Sequence, residues 1–156
     1  MGLAVTRESR LYMLVGRRTC AIPTSSVVET MRPLPVERLG RGPAFLRGVA
    51  VIRGAPVPVL DLDALLGGDG EAAAARFVVV RASADRRAAL AVGAVLGVRD
   101  LLPEALEEMP PLLRQATADA VDAIGTLDAA LLVVLGSARL VPESVWEGLA
   151  AGQAGP

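Results

Sequence analysis

The segment from Pro43 to Leu62, PAFLRGVAVIRGAPVPVLDL, constrains this chain more than any other, because two short apolar runs flank a turn in which Arg53 immediately precedes a glycine. Gly54 accepts positive φ and Pro56 fixes its own backbone, so Arg53-Gly54-Ala55-Pro56 reads as a hairpin connection between the runs 49–52 and 57–60. The hairpin presents a charge at a strand end, a placement suited to docking. The preceding stretch has the same syntax. Residues 11–15 form an apolar run, Gly16-Arg17-Arg18 is a polar turn, and Cys20-Ala21-Ile22-Pro23 opens a strand that the proline must end or place at an edge. The expectation is a β-meander and not a βαβ unit.

The second half repeats the first. Residues 45–61 lie without gaps over residues 120–136, an offset of 75, which matches Gly48-Val49 with Ala123-Ile124 and Val57-Pro58-Val59-Leu60 with Leu132-Val133-Val134-Leu135. Residues 11–22 resemble residues 77–92 in order: apolar run, arginine-rich turn (Asp85-Arg86-Arg87 in the second copy), apolar run. Each copy is too short to bury a full core comfortably, so two copies packed in one chain would stabilise one another.

Composition narrows the functional classes. With 156 residues, 53% of them hydrophobic, and a net charge of −1, the chain can bury a sizeable core and carries no electrostatic footprint for nucleic acid. The 16 basic residues are all arginine and there is no histidine, which removes imidazole from any base catalysis, phosphorelay or metal ligation. The single cysteine, Cys20, has no intrachain partner and reads as a buried small hydrophobe beside Ala21 and Ile22. No apolar run reaches the ~20 residues of a membrane helix, and no basic-then-apolar leader opens the chain; a cytoplasmic protein without membrane insertion is expected.

Residues 67–71, Gly-Gly-Asp-Gly-Glu, followed by four alanines, form the clearest joint between the copies. Before it, Asp61 or Asp63 can cap a short helix over Ala64-Leu65-Leu66 that Gly67 closes in a left-handed conformation. A short helix is expected within residues 104–118 despite Pro110-Pro111, and another over residues 142–150, where Val145, Trp146 and Leu149 share a face. Residues 152–156 are expected to be disordered.

Catalytic patterns are missing. Glu107-Glu108 and the pair Asp61/Asp63 are adjacent acids that read as caps and solvated loops, and the glycine clusters lack the motif of a phosphate loop. No catalytic residue, metal ligand or cofactor is expected. Aromatic residues are 3% of the chain, too few for a stacking platform for single-stranded nucleic acid. Function is left to the surfaces.

At this point several motifs together carry a family resemblance. Cys20-Ala21-Ile22-Pro23, Val27-Val28-Glu29, Pro43-Ala44-Phe45, Gly48-Val49, Ile52-Arg53-Gly54 and Pro58-Val59-Leu60-Asp61-Leu62 stand in order and at matching spacing. In this the sequence resembles the CheW-like chemotaxis adaptor family. The second half matches mainly through the stretch 91–98 and Leu127-Asp128. Departures are Cys20 for an aromatic residue, Val51 for an asparagine, Gly93 for an aspartate, and Ala129 and Gly136 for a glycine and an aspartate.

The resemblance implies a mainly β fold of two interlocked five-stranded SH3-like barrels, with short helices between strands and at the C-terminus. It implies one domain over 1–151: a first barrel mainly over 10–66, a second mainly over 76–141, and a helix over 142–150. It implies no enzymatic activity, but an adaptor that couples the cytoplasmic tip of methyl-accepting chemoreceptors to a histidine autokinase through the kinase's own CheW-like regulatory domain. Motif by motif, the receptor contacts would be Val27, Glu29, Arg53, Ala89, Val95 and Val98. The kinase contacts would be Val36, Glu37, Phe45, Gly48 and Val49.

Plainer readings stand beside these. Val27, Val95 and Val98 are equally core residues by type, Phe45 is a core residue before it is a contact, Gly48 serves backbone conformation first, and Arg53 is a surface turn residue or a bridge to an acid such as Asp61. The departures in the second half leave open a divergent scaffold of a parallel pathway that has lost receptor binding. A small-ligand-binding barrel is the alternative from another class.

Overall fold

The computed structural model describes residues 8–38, 40, 42–70, 74–83, 85–101, 106–108, 121–127, 130–136 and 146–147. The expected helix over 142–150 is described only at Trp146 and Glu147, both helical, and the tail 152–156 lies outside the described residues.

The apolar runs form strands, and the turn residues end them. In chain order the strands are β1 (Glu8–Val15), β2 (Arg18–Pro23), β3 (Val27–Met31), β4 (Leu46–Ile52), β5 (Ala55–Asp61), β6 (Arg76–Arg81), β7 (Arg87–Val92), β8 (Ala94–Leu101), β9 (Leu106–Glu108), β10 (Val121–Leu127) and β11 (Ala130–Leu135). Proline ends β2, as its missing N–H requires. One helical turn, α1 (Leu62–Leu65), follows β5; Asp61 caps it by accepting the Ala64 N–H at 3.1 Å, and Gly67 follows at φ 90°. Of the stretch 104–118, where a short helix is expected, residues 106–108 are described and form β9; the residues beyond Pro110-Pro111 that carry the helix expectation lie outside the described ones.

The strands make two sheets, ordered β8-β1-β2-β11-β10-β9 and β3-β6-β7-β5-β4. The meander expectation fails here. β2 does not pair with β3, which starts the other sheet, and the middle of each sheet is a parallel pairing, β2 with β11 and β5 with β7. Each half of the chain donates its first hairpin to the sheet built by the other half. The sheets therefore do not divide at residues 66–76; the five-stranded sheet runs from 27 to 92. Neither sheet can be assembled from one half alone.

The duplication extends to the register. In the β4–β5 hairpin Leu46 faces Leu60 and Gly48 faces Val59, leaving a bulge between; in β10–β11, 75 positions on, Val121 faces Leu135 and Ala123 faces Val134 with the same bulge. A second matched bulge sits in β3, where Val27 faces Val80 and Glu29 faces Val79, and in β8, where Val95 faces Met13 and Gly97 faces Tyr12. Even β9 has a counterpart. Glu107 faces Ile124 as Glu37 faces Val49 in an isolated bridge.

Alternation along each strand sends one set of side chains between the sheets and the other inside its own curled sheet. Val78, Val80, Leu90 and Val92 join Met13, Ile22 and Leu135 in the shared core, while Phe77, Val79, Ala89 and Ala91 pack with Ile52, Val57 and Val59 inside the five-stranded sheet. Tyr12, Ala21, Leu132 and Val134 do the same in the six-stranded sheet. Burial on both faces explains why these strands read as unbroken apolar runs. Among the described residues neither sheet closes by a continuous ladder, so each is an SH3-like barrel with an open seam.

Candidate functional site

The seam of the five-stranded sheet lies between its edge strands β3 and β4, and two features span it. At one, Glu37 and Val49 exchange both backbone hydrogen bonds at 2.8 Å, tying the segment after β3 to the far edge. At the other, a side-chain pair reaches across. Arg53 at φ 53° and Gly54 at φ 79° form the two-residue connection between Ile52 and Ala55, with the left-handed pair of a type I′ turn. This turn holds the Arg53 guanidinium against Glu29 of β3, with Nε donating to Oε2 at 3.1 Å and Nη2 to Oε1 at 2.7 Å.

The Arg53 side chain remains 71% exposed and that of Glu29 22%. A bidentate pair is thus displayed on the surface. The hydrogen bonds from Arg53 hold the Glu29 carboxyl below its usual range, with the charges of Arg53 and Arg87 acting the same way. Asp61, the acid considered for Arg53 from the sequence, is 6% exposed and pairs instead with Arg47, whose Nη2 and Nε reach it at 2.8 and 3.2 Å.

The expected kinase contacts gather around the backbone bridge. Gly48 sits at φ 140°, and a Cβ there would collide with the Glu37 carbonyl oxygen and lie 3.0 Å from Val36 Cγ1. Val36, Glu37, Gly48 and Val49 are therefore one packed cluster, in which Glu37 is exposed and Val49 is buried beneath it. Phe45 packs against the shared core, in keeping with its core reading.

The expected receptor contacts divide. Val27 and Val95 occupy equivalent bulge positions and both pack against the shared core. Val98 is 57% exposed on edge strand β8, beside Leu96 at 55%. Ala89 is a correction: it is fully buried on β7, second from neither edge but central in the sheet, and presents no surface to a partner. The sequence reading also passed over the neighbours of Arg53. Arg86, Arg87 and Trp146 line an open cleft of about 450 Å³ together with Ile52, Arg53 and Pro56. The adjacent arginines of the 85–87 turn were the available signal.

Among the described residues no group of three His, Cys, Asp or Glu stands close enough to hold a metal ion. Cys20 is completely buried and burial pushes its thiol up to about 12, so it stays protonated and inert. No helix among the described residues is long and apolar enough to cross a membrane.

A family model described as the CheW-like domain matches residues 11–144. The chain belongs to the CheW-like domain family. Among solved structures it is similar to the scaffolding protein TtCheW from Thermoanaerobacter tengcongensis, with 22% identity and a TM-score of 0.72 over 84% of this chain and 90% of that chain. A search of curated protein sequences gave no significant match. Membership places this CheW-like domain among non-catalytic scaffolds, and the structural likeness supports the interlocked two-barrel fold.

Within this CheW-like domain the two barrels differ at the displayed pair. Gly97 stands at the bulge position that Glu29 holds in β3. The position 75 residues beyond Arg53 is Asp128, outside the described residues, so an arginine–glutamate pair has no sequence counterpart in the second copy. Duplication supplied the frame, and divergence left the charged pair on one barrel only.

Proposed function

We propose that this CheW-like domain is a cytoplasmic adaptor that binds a chemoreceptor signalling tip and the CheW-like regulatory domain of a histidine autokinase, holding the two together. The observation that carries the reading is the displayed Arg53–Glu29 pair. It is bidentate, set on a two-residue turn, and its arginine side chain is 71% exposed, which makes it a preformed contact for a partner's polar groups. Receptor contact is assigned to Arg53, Glu29, Val27, Val95 and Val98, with Ala89 supporting β7 from within. Kinase contact is assigned to the cluster of Val36, Glu37, Gly48 and Val49, with Phe45 anchoring it from the core side.

The domain is assigned to residues 1–151 as one unit, since the exchanged hairpins make the barrels interdependent. Co-purification with a soluble receptor-tip hairpin and with a kinase regulatory domain tests the assignment. Arg53→Glu and Val98→Arg should each weaken receptor capture and leave kinase capture and the far-UV spectrum unchanged. Receptor capture undiminished in folded Arg53→Glu protein rejects the role given to the pair.

A further inference from the structure

The inner face of the six-stranded sheet ends in a residue pair that the fold does not call for. Along β1, Arg10 lies on the same side as Tyr12, and in the β1–β8 register it stands directly opposite Arg99. Two like charges thus oppose each other across one ladder. The matching pair in the other sheet is Phe77 opposite Met31, and both pack into that sheet's apolar interior. The same frame is therefore complete with apolar residues there. The donors of the two arginines are largely unused. Arg10 is 8% exposed; its Nη2 donates to Glu8 at 3.0 Å, and its Nε and Nη1 have no hydrogen-bond partner among the described residues. Arg99 is exposed, and its contact among the described residues is with the Tyr12 ring, 6.0 Å from its Cζ. Burial raises the Tyr12 phenol while the charges of Arg10 and Arg99 both act against that rise, so two guanidinium groups face one phenol. The acid in contact is Glu8, which takes a single N–H and has a side chain 47% exposed. Asp100 follows Arg99 on β8 and by alternation points to the other side of the sheet.

We propose that this corner binds an oxyanion, a phosphate group or a carboxylate, held between the guanidinium groups of Arg10 and Arg99 beside the Tyr12 ring. The proposal is independent of the receptor and kinase assignments. Buried N–H groups without acceptors carry their full desolvation cost, and an acceptor brought to them recovers it. Charge then selects the kind of acceptor: two guanidinium groups against the one carboxylate of Glu8 favour an anion over a neutral carbonyl or hydroxyl. Access is from the Arg99 side. Arg99 and Glu8 are both open to solvent, so the anion meets Arg99 first and draws the long Arg10 side chain away from Glu8. The duplication explains why only this barrel would have the site, since Met31 and Phe77 hold the equivalent places in the other.

The test uses the full chain and two probes, inorganic phosphate and acetate, with ionic strength held constant by sodium chloride. At about tenfold excess over its dissociation constant, a bound probe should raise the melting midpoint by about 4 °C. The side-chain Nε–H resonance of Arg10 should move in a nitrogen-edited spectrum. A response to phosphate alone assigns a phosphate group, and a response to acetate assigns a carboxylate. Arg99→Gln changes an exposed residue and leaves the fold intact; it should bind the probe about tenfold more weakly. Arg10→Met should melt higher than the native chain without probe and lose the probe's effect, a combination that a purely structural arginine does not give. If the midpoint and the Arg10 resonance of the native chain stay unmoved with both probes, the proposal is overturned. An equal midpoint shift in the native chain and in both variants overturns it as well, by placing the bound anion elsewhere.

Discussion

Arg53 and Glu29 stand on opposite edges of one sheet and meet through two hydrogen bonds, 3.1 and 2.7 Å long. The pair crosses the seam that the backbone leaves open between β3 and β4. Its geometry follows from three local features: a type I′ turn that aims Arg53, a bulge that re-aims β3 at Glu29, and the Glu37–Val49 bridge that holds the edges together. The contact proposed for binding and the closure of the barrel thus share the same residues.

The pair has a pH signature. Glu29 is held below its ordinary value of 4.5, chiefly by the Arg53 hydrogen bonds. A carboxyl lowered in the folded state contributes stability above its unfolded value and loses it as pH falls through the folded one. The stability advantage of the native chain over Glu29→Gln should therefore be constant from neutral pH down to about 4.5 and disappear below it. The advantage itself is small, since the pair is open to solvent. Thermal melts of both proteins across this range check the sign; a gap that widens in acid contradicts it.

Gly48→Ala should be among the costliest single changes in the chain. The added Cβ would collide with the Glu37 carbonyl, and φ 140° strains any side-chain-bearing residue. The loss should be about 2–4 kcal/mol in urea unfolding. Receptor-independent kinase capture should fall with it, through displacement of Glu37. A variant as stable as the native chain would show that the bridge relaxes at no cost.

Much of this was legible in the sequence, for local reasons. The β4–β5 hairpin could be read because Gly54 and Pro56 punctuate two apolar runs, although the connection is the two residues Arg53-Gly54 and not the four expected, and the 75-residue offset placed β10–β11 in the same register. Asp61 was one of two candidate caps, with Asp63, for a helix expected over 64–66; it caps a turn that begins at Leu62. What could not be read depends on residues far apart in sequence. The parallel pairings of β2 with β11 and β5 with β7 are decided by packing between halves, and with them the burial of Ala89. Glu29, not Asp61, became the partner of Arg53 because the sheet curls; Trp146 and Arg86 meet only in the folded chain.

Arg10 is a built-in cost. It is 8% exposed; among the described residues its Nε and Nη1 have no hydrogen-bond partner, and Nη2 donates to Glu8 at 3.0 Å. Following the matched registers, the place of Arg10 on β1 is that of Phe77 on β6, an apolar position in the other barrel. Arg10→Met keeps the length and removes the unpaired donors. It should stabilise the chain by roughly 1–3 kcal/mol in urea unfolding. Destabilisation instead would show that the guanidinium is engaged in solution.

The exchanged hairpins make a last prediction about folding. The residues before the 67–75 joint include β1 and β2, whose partners β8 and β11 lie after it; those after it include β6 and β7, whose partners β3 and β5 lie before it. Separated at residue 70, each fragment would hold its hairpins but leave the face of the shared core exposed: Met13 and Ile22 in one, Val78, Leu90 and Leu135 in the other. Two- and three-stranded pieces without that cover are marginal in water. Fragments 1–70 and 71–156 should each lack a cooperative thermal transition, and mixing them in equal amounts should restore the β spectrum and a single melt. A fragment that melts cooperatively alone would show that one barrel stands without strands from the other, and the interlocked account would fail.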